Sequence, residues 1–191
     1  MTVEGPMVSA VDPISSGRGE SLEFELTFLA RALPEGLANW PSMRLTDVYV
    51  PANPVMHPRL RLRQKGEAYE ITKKVPLNSA DASAHTEITI PLSPDEYRDL
   101  AGLNGRRVEK IRYSGLIDGN PAEVDVFVGA LQGLVLIDFE FSDREQLEKF
   151  VVPRICLADV TQEEFIAGGM LSGKGFADIE SRLRDFGYEP I

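Results

Sequence analysis

A single cysteine, Cys156, stands among the 191 residues, so the chain can form no intrachain disulfide. Its neighbours Val151, Val152, Ile155 and Leu157 are apolar, a setting for a buried, inert thiol rather than a nucleophile. Histidine is nearly as scarce. His57 lies between prolines in what reads as a loop, His85 lies on a separate alternating segment, and the two offer no metal pair. Basic residues are outnumbered 20 to 30, and the net charge of -10 argues against general affinity for nucleic acid or an anionic membrane. A local basic pocket stays open. No apolar run approaches the roughly 20 residues needed to cross a bilayer. No basic segment followed by an apolar run opens the chain either, so a cytoplasmic protein is expected.

What is present suits one soluble domain: 43% hydrophobic and 26% charged residues, in a chain long enough for a substantial core. Residues 1–20 contain Gly5, Pro6, Pro13, Gly17 and Gly19 without periodicity and are expected to be a flexible leader. Residues 21–191 then form a single domain.

The charge is placed periodically. Residues 22–29 read Leu-Glu-Phe-Glu-Leu-Thr-Phe-Leu. As a strand they put Glu23, Glu25 and Thr27 on one face and Leu22, Phe24, Leu26 and Phe28 on the other. An ordinary half-buried strand with its carboxylates in water has the same pattern. Later segments repeat it with both signs of charge. Arg59, Arg61 and Arg63 stand opposite Leu60 and Leu62, and after a turn at Gly66 the partner strand carries Glu70, Thr72 and Lys74. Further on, His85, Glu87 and Thr89 share a face, as do Lys110 and Arg112. The Asp118-Gly119-Asn120 turn leads into Glu123 and Asp125, and the last such strand carries Asp138 and Glu140. Residues 43–50 are β-rich, residues 51–58 a proline-bearing loop, and residues 78–84 a loop of small residues.

Helices are expected at residues 35–40 behind Pro34, and after three capping boxes beginning at Ser93, Ser142 and Thr161. The first of these runs to about Leu103 and the second to about Val151. A final helix over residues 176–186, ended by Gly187, carries the stripe Phe176, Ile179, Leu183 and Phe186, which should pack on the barrel exterior. The segment Gly168-x-x-x-x-Gly173-Lys174 imitates a phosphate loop. Gly175 stands where a Ser or Thr is needed and no strand precedes it, so a connection between helices is expected.

Unpaired charges would cost several kcal/mol each to bury, so they must pair, stay wet or meet a ligand. A structural ion-pair network on a solvated sheet would satisfy that. The opposite faces, however, are apolar enough to need cover by helices, which turns the charged faces toward one another. The expected architecture is therefore α+β, a closed antiparallel barrel of about seven or eight strands with a charged interior and helices packed outside. A basic cluster facing an acidic one in a wet cavity suits a polyanion bridged by divalent cations, and hard oxygen ligands favour magnesium or manganese.

These segments are also familiar as a set. Residues 22–29 resemble the opening E-x-E-x-K strand of the CYTH, or triphosphate tunnel metalloenzyme, superfamily. Arg61-Leu-Arg63 and residues 69–74 resemble its R-x-R and T-x-K strands. Residues 108–113 resemble V-x-K-x-R-Y, residues 123–129 E-x-D-x-F-x-G, residues 133–141 the G-L-x-x-x-E-x-E-F segment, and Val160-Thr161 the late V-T. The resemblance runs in order over residues 22–161. It implies an eight-stranded tunnel that binds inorganic or organic triphosphate. It implies Glu23, Glu25 and Glu140 as catalytic, metal-holding carboxylates, with Asp125 and Asp138 assisting. It also implies Arg61, Arg63, Lys74, Lys110 and Arg112 as the phosphate grip, and Mg2+ or Mn2+ as cofactor. Tripolyphosphatases, thiamine triphosphatases and class IV adenylate cyclases are members, and this motif order is most similar to the compact bacterial tripolyphosphatases. The implied partner is a small triphosphate or polyphosphate, with no nucleic-acid polymer and no membrane; a homodimer is left open.

Three departures stand out. Thr27 occupies the place of the motif lysine, His85-Thr-Glu87-Ile-Thr89 replaces R-x-E-x-E, and residues 162–169 replace a basic, tyrosine-containing tail. Each lost phosphate contact would cost about 1.5–3 kcal/mol if desolvated. The carboxylates are better kept than the cations. A degenerate, non-hydrolytic module that binds a phosphorylated ligand is the alternative this raises, and a class IV-type adenylate cyclase is a third.

Overall fold

A computed structural model of the chain describes residues 21–53, 55–78, 81–103 and 105–191. The expected leader, residues 1–20, lies outside the described residues. Among the described residues nine strands form: β1 (Ser21–Ala30), β2 (Ser42–Val50), β3 (Leu60–Lys65), β4 (Ala68–Asn78), β5 (Asp81–Leu92), β6 (Arg106–Ile117), β7 (Asn120–Phe127), β8 (Val135–Phe141) and β9 (Cys156–Asp159). The helices are α1 (Pro94–Ala101), α2 (Arg144–Glu148), α3 (Gly168–Leu171) and α4 (Phe176–Asp185).

Strands β1 to β8 close into a ring. The order runs β5-β4-β3-β2-β6-β7-β8-β1, and the first residues of β1 pair back onto β5. Every pairing is antiparallel, as expected. Strand β1 is the closing seam: its start pairs with β5, and its end, from Phe28 to Ala30, pairs with β9. The alternation of residues 22–29 is therefore used on both faces, with carboxylates toward the ring's interior and Leu26 and Phe28 toward an outer core.

The outer face of β1, β6, β7 and β8 buries Phe28, Val124, Ile137 and Phe139 under Leu37, Trp40, Phe150 and Cys156. Burial pushes the Cys156 thiol up to about 12, with the Asp118 and Asp159 carboxylates adding to the shift, so it stays protonated and inert. A second outer core joins Val48, Leu62 and Ile71 to Tyr97 and Ala101 of α1. Helix α1 begins as its sequence dictates: Ser93 Oγ accepts from Glu96 N, and the Glu96 carboxylate accepts from Ser93 N.

Several expectations are corrected. Residues 35–40 form only a 3-10 turn, Leu37–Asn39, because Gly36 enters it at φ 70, a left-handed conformation. The expected loop at residues 78–84 is mostly strand, since Asp81 pairs with Asn78 and Ala84 pairs with Phe24 of β1 across the seam. Asp143, not Ser142, caps α2 by accepting from Gln146 N. Thr161 caps no helix; its hydroxyl instead accepts from Thr27 N at 3.0 Å. The stripe of α4 is core, but it does not lie on the outer wall. Ile179 and Leu183 join a cluster with Leu29, Phe127 and Leu136, which share faces with Thr27, Asp125 and Asp138, so the helix covers one end of the ring. Strand β9 was not expected from the sequence at all.

Candidate functional site

The inward faces enclose a cavity of about 1280 Å³. All ten residues implied by the motif resemblance line it: Glu23 and Glu25 from β1, Arg61 and Arg63 from β3, Lys74 from β4, Lys110 and Arg112 from β6, Asp125 from β7, and Asp138 and Glu140 from β8. Strand alternation puts each of them on the inner face, at an odd or even position matched to its neighbour's by the ladder, and the β1–β5 pairing closes those faces around one cavity. Glu25 faces Glu140 and Thr27 faces Asp138 across β1 and β8, and Arg112 faces Asp125 across β6 and β7. The tunnel thus holds charges of both signs close together in a partly dry space.

Two ion-pair clusters result. Lys74 Nζ lies 2.5 Å from Glu25 and 3.2 Å from Glu23. Arg112 donates to both oxygens of Asp125 at 2.7 Å, to Asp138 at 3.2 Å, and to Glu123, while Lys110 also donates to Asp125. Thr27 Oγ1 donates to the other oxygen of Asp138 at 2.8 Å, so the residue in the motif-lysine position holds a carboxylate by hydrogen bond rather than by charge.

The titration of these groups follows. Burial pushes Glu25 up, but the Lys74 and Arg112 charges outweigh it and hold its carboxyl low. Burial likewise opposes, and Lys110 and Arg112 overcome it, at Asp125, which stays ionised. Asp138 goes the other way: burial and then the charges of Glu25 and Asp125 raise it, despite Arg112. Glu140 is raised by burial and by its neighbours Glu123, Glu25 and Glu23.

The remaining cations differ in how committed they are. Arg63 is buried and bound through Nε and Nη2 to Asp47 at 2.7 and 2.8 Å. Arg61 has its closest ion pair with Glu87 at 4.0 Å and also feels Asp47 and Tyr49, while its buried Nε has no hydrogen-bond partner among the described residues. His85, beside Lys74 and Arg59, is lowered to about 4 by burial and then by those two charges, so it is neutral near pH 7. It does not replace the motif arginine as a cation.

Sequence reasoning missed Asp47, although Asp47 and Tyr49 alternate within residues 43–50 and that period was there to be used. It also missed what residues 160–169 do. Gln162 accepts from Ala82 N at 2.9 Å and donates to Asp81, and Val160 and Ile166 join Phe127 and Leu136 in an apolar lining at one end. The glycine pair there serves close packing: a Cβ on Gly168 would lie 2.4 Å from Tyr49 Oη, and one on Gly169 would lie 2.8 Å from Pro58 O. Of the phosphate-loop imitation, Gly168 is thus a packing glycine, and Gly173 takes a left-handed φ of 77.

Among the described residues, no group of three or more His, Cys, Asp or Glu side chains converges tightly enough to hold a metal ion. The donor chemistry nonetheless fits a hard divalent cation. Glu23, Glu25 and Glu140 are oxygen-only ligands on adjacent strands, and Glu23 and Glu140 are raised by burial and by neighbouring carboxylates, a repulsion that added positive charge would relieve.

No protein-family model matches the chain. The chain is 33% identical over 144 residues to an inorganic triphosphatase of Nitrosomonas europaea, which covers 74% of this chain and 91% of that protein. The crystal structure of the inorganic triphosphatase NE1496 superposes with a TM-score of 0.57 at 32% identity, covering 80% of this chain and 95% of that one. A putative adenylate cyclase from Bacillus halodurans shares the fold alone, at a TM-score of 0.50 and 14% identity over 91% of this chain and 94% of that one. With the closed ring, the charged tunnel and a relative of this identity and coverage, the chain belongs to the CYTH, or triphosphate tunnel metalloenzyme, superfamily.

Proposed function

We propose that this chain hydrolyses a terminal phosphoanhydride bond of inorganic triphosphate, or of a related organic triphosphate, inside the tunnel. The observation that carries the reading is the convergence of the five motif cations and five motif carboxylates on one cavity in a chain so similar to an inorganic triphosphatase. Water attacks the terminal phosphorus, the bond to the bridging oxygen breaks, and phosphate and the shortened chain leave. A magnesium or manganese ion held by Glu23, Glu25 and Glu140, with Asp125 and Asp138 assisting, would supply neutralisation of the developing charge and a more acidic water.

The chain's own groups divide the remaining work. Arg61, whose closest ion pair is the long one to Glu87 at 4.0 Å, binds phosphate oxygens at the least cost. Arg63 is held in place by Asp47 and offers Nη1. Lys74 exchanges carboxylate oxygens for phosphate oxygens, Lys110 and Arg112 stay on Asp125 and lend the phosphate chain their charge, and the apolar end at Val160 and Ile166 limits water access. The test is phosphate release from tripolyphosphate, thiamine triphosphate and nucleoside triphosphates with either metal, in wild type and Glu25→Gln. Wild type should release phosphate and the variant should lose most of the rate; equal rates overturn the reading.

A second reading is a module that binds triphosphate without turnover. It is favoured by Thr27, which leaves the first strand without a cation, and by cations already satisfied by protein carboxylates. Calorimetric binding of triphosphate with no released phosphate would support it. Product analysis with ATP separates both from a cyclase.

A further inference from the structure

Lys74 lies on β4, opposite Glu87 of β5 in the ladder. Its ammonium nevertheless reaches past β5 and bridges Glu23 and Glu25 of β1. Glu25 faces Glu140 on β8, and Glu140 makes no ion pair among the described residues. The carboxylates suited to a divalent cation are therefore split: two are closed on a lysine, and the third is left beside them.

We propose that Lys74 is a built-in placeholder cation, which holds Glu23 and Glu25 until triphosphate draws its ammonium away and leaves the carboxylates to a metal ion. The proposal rests on the reading of this tunnel as a triphosphate site. An ammonium 2.5–3.2 Å from the carboxylate oxygens competes with a metal for the same oxygens, because two like charges that close repel. A phosphate chain offers Lys74 several alternative anionic oxygens. Metal and triphosphate thus each favour the other through one side chain, and by linkage the coupling is reciprocal.

Lys74 suits this task better than Arg112. Arg112 is fixed by a two-point bond to the fully buried Asp125 and by further bonds to Asp138 and Glu123. Lys74 is a point charge on a flexible stem, with 29% of its side chain exposed against 17% for Arg112. Its neighbour Thr72 is buried and bound to Thr89, which anchors the strand while the lysine tip moves.

The test is calorimetry on the full chain with Mn2+ alone, and separately with metal-free triphosphate alone, for wild type, Lys74→Met and Arg59→Met. Arg59 lines the same cavity and controls for loss of one positive charge. Lys74→Met should bind Mn2+ roughly 5- to 150-fold more tightly than wild type and triphosphate more weakly, the range expected of such coupling. Arg59→Met should weaken triphosphate without tightening Mn2+. Unchanged or weaker Mn2+ binding by Lys74→Met overturns the proposal, as does equal tightening in Arg59→Met. Should Lys74→Met not fold, wild type decides: metal-free triphosphate alone must shift the Lys74 side-chain signal in a lysine-labelled NMR sample, and a signal that triphosphate leaves unmoved overturns the proposal. A chain that releases no phosphate but shows these opposed affinities keeps this proposal and loses hydrolysis. The reverse result keeps hydrolysis and loses the placeholder.

Discussion

Arg112 shows what a single residue carries in this protein. One guanidinium serves Asp125, Asp138 and Glu123, and Asp125 has no exposure to solvent at all. Replacing both sides of such a pair with apolar groups can be neutral, but removing one side leaves charge buried without compensation. Arg112→Met should therefore destabilise the fold by about 3–5 kcal/mol in urea unfolding. A loss under about 1 kcal/mol would mean that Lys110 alone satisfies Asp125 and that the cluster is wetter than its burial implies. Thr27 acts at the same scale with less at stake: its hydroxyl orients Asp138, and its backbone N–H donates to Thr161.

At the scale of elements, the β4–β5 hairpin is tied down by a few side chains near the start of β5. The Asp81 carboxylate accepts from the Ser83 hydroxyl and backbone N–H and also from Gln162 and Arg144. The Ser83 bonds, and after them those from Gln162 and Arg144, hold its carboxyl down at about 2. A depressed acid stabilises the folded form above its ordinary value and loses that contribution as pH falls. Protection of the β4 and β5 amides, with the intrinsic pH dependence of exchange divided out, should accordingly fall between about pH 4 and pH 2 in wild type. Asp81→Asn should flatten that pH response. If wild type and variant open alike across this window, the carboxylate does not secure the hairpin.

Over the whole molecule, one end of the ring is closed by the chain's own C-terminal region. Leu183 and Ile179, each 1% exposed, pack with Leu29, Phe127 and Leu136 at that end. Leu183→Ala should cost about 2–5 kcal/mol of stability, the range for a large side chain removed from a close-packed core. If α4 were a peripheral addition, the loss would fall below about 1 kcal/mol and the urea midpoint would barely move. The net charge of -10 belongs to this scale too, since it sets the repulsion that a polyanion meets before it reaches the basic side chains inside the tunnel.

The eight ring strands apart from the start of β5, their inward and outward faces, the first capping box and the Asp118-Gly119 turn were legible in the chain because each depends on residues within a turn or a few positions of one another. That locality also explains why all ten charged candidates proved to line one cavity. Partnership is a different matter. Nothing local says that Arg63 is matched by Asp47, that Lys74 passes Glu87 for Glu23 and Glu25, or that Thr161 meets Thr27 across 134 positions. Ring closure, the β9 addition and the glycines fitted against Tyr49 and Pro58 are likewise set by contacts between distant segments. Periodicity assigned each side chain to a face; only the closed barrel decided which charges meet, because Coulomb and hydrogen-bond energies depend on distances that arise when the seam between β1 and β5 forms.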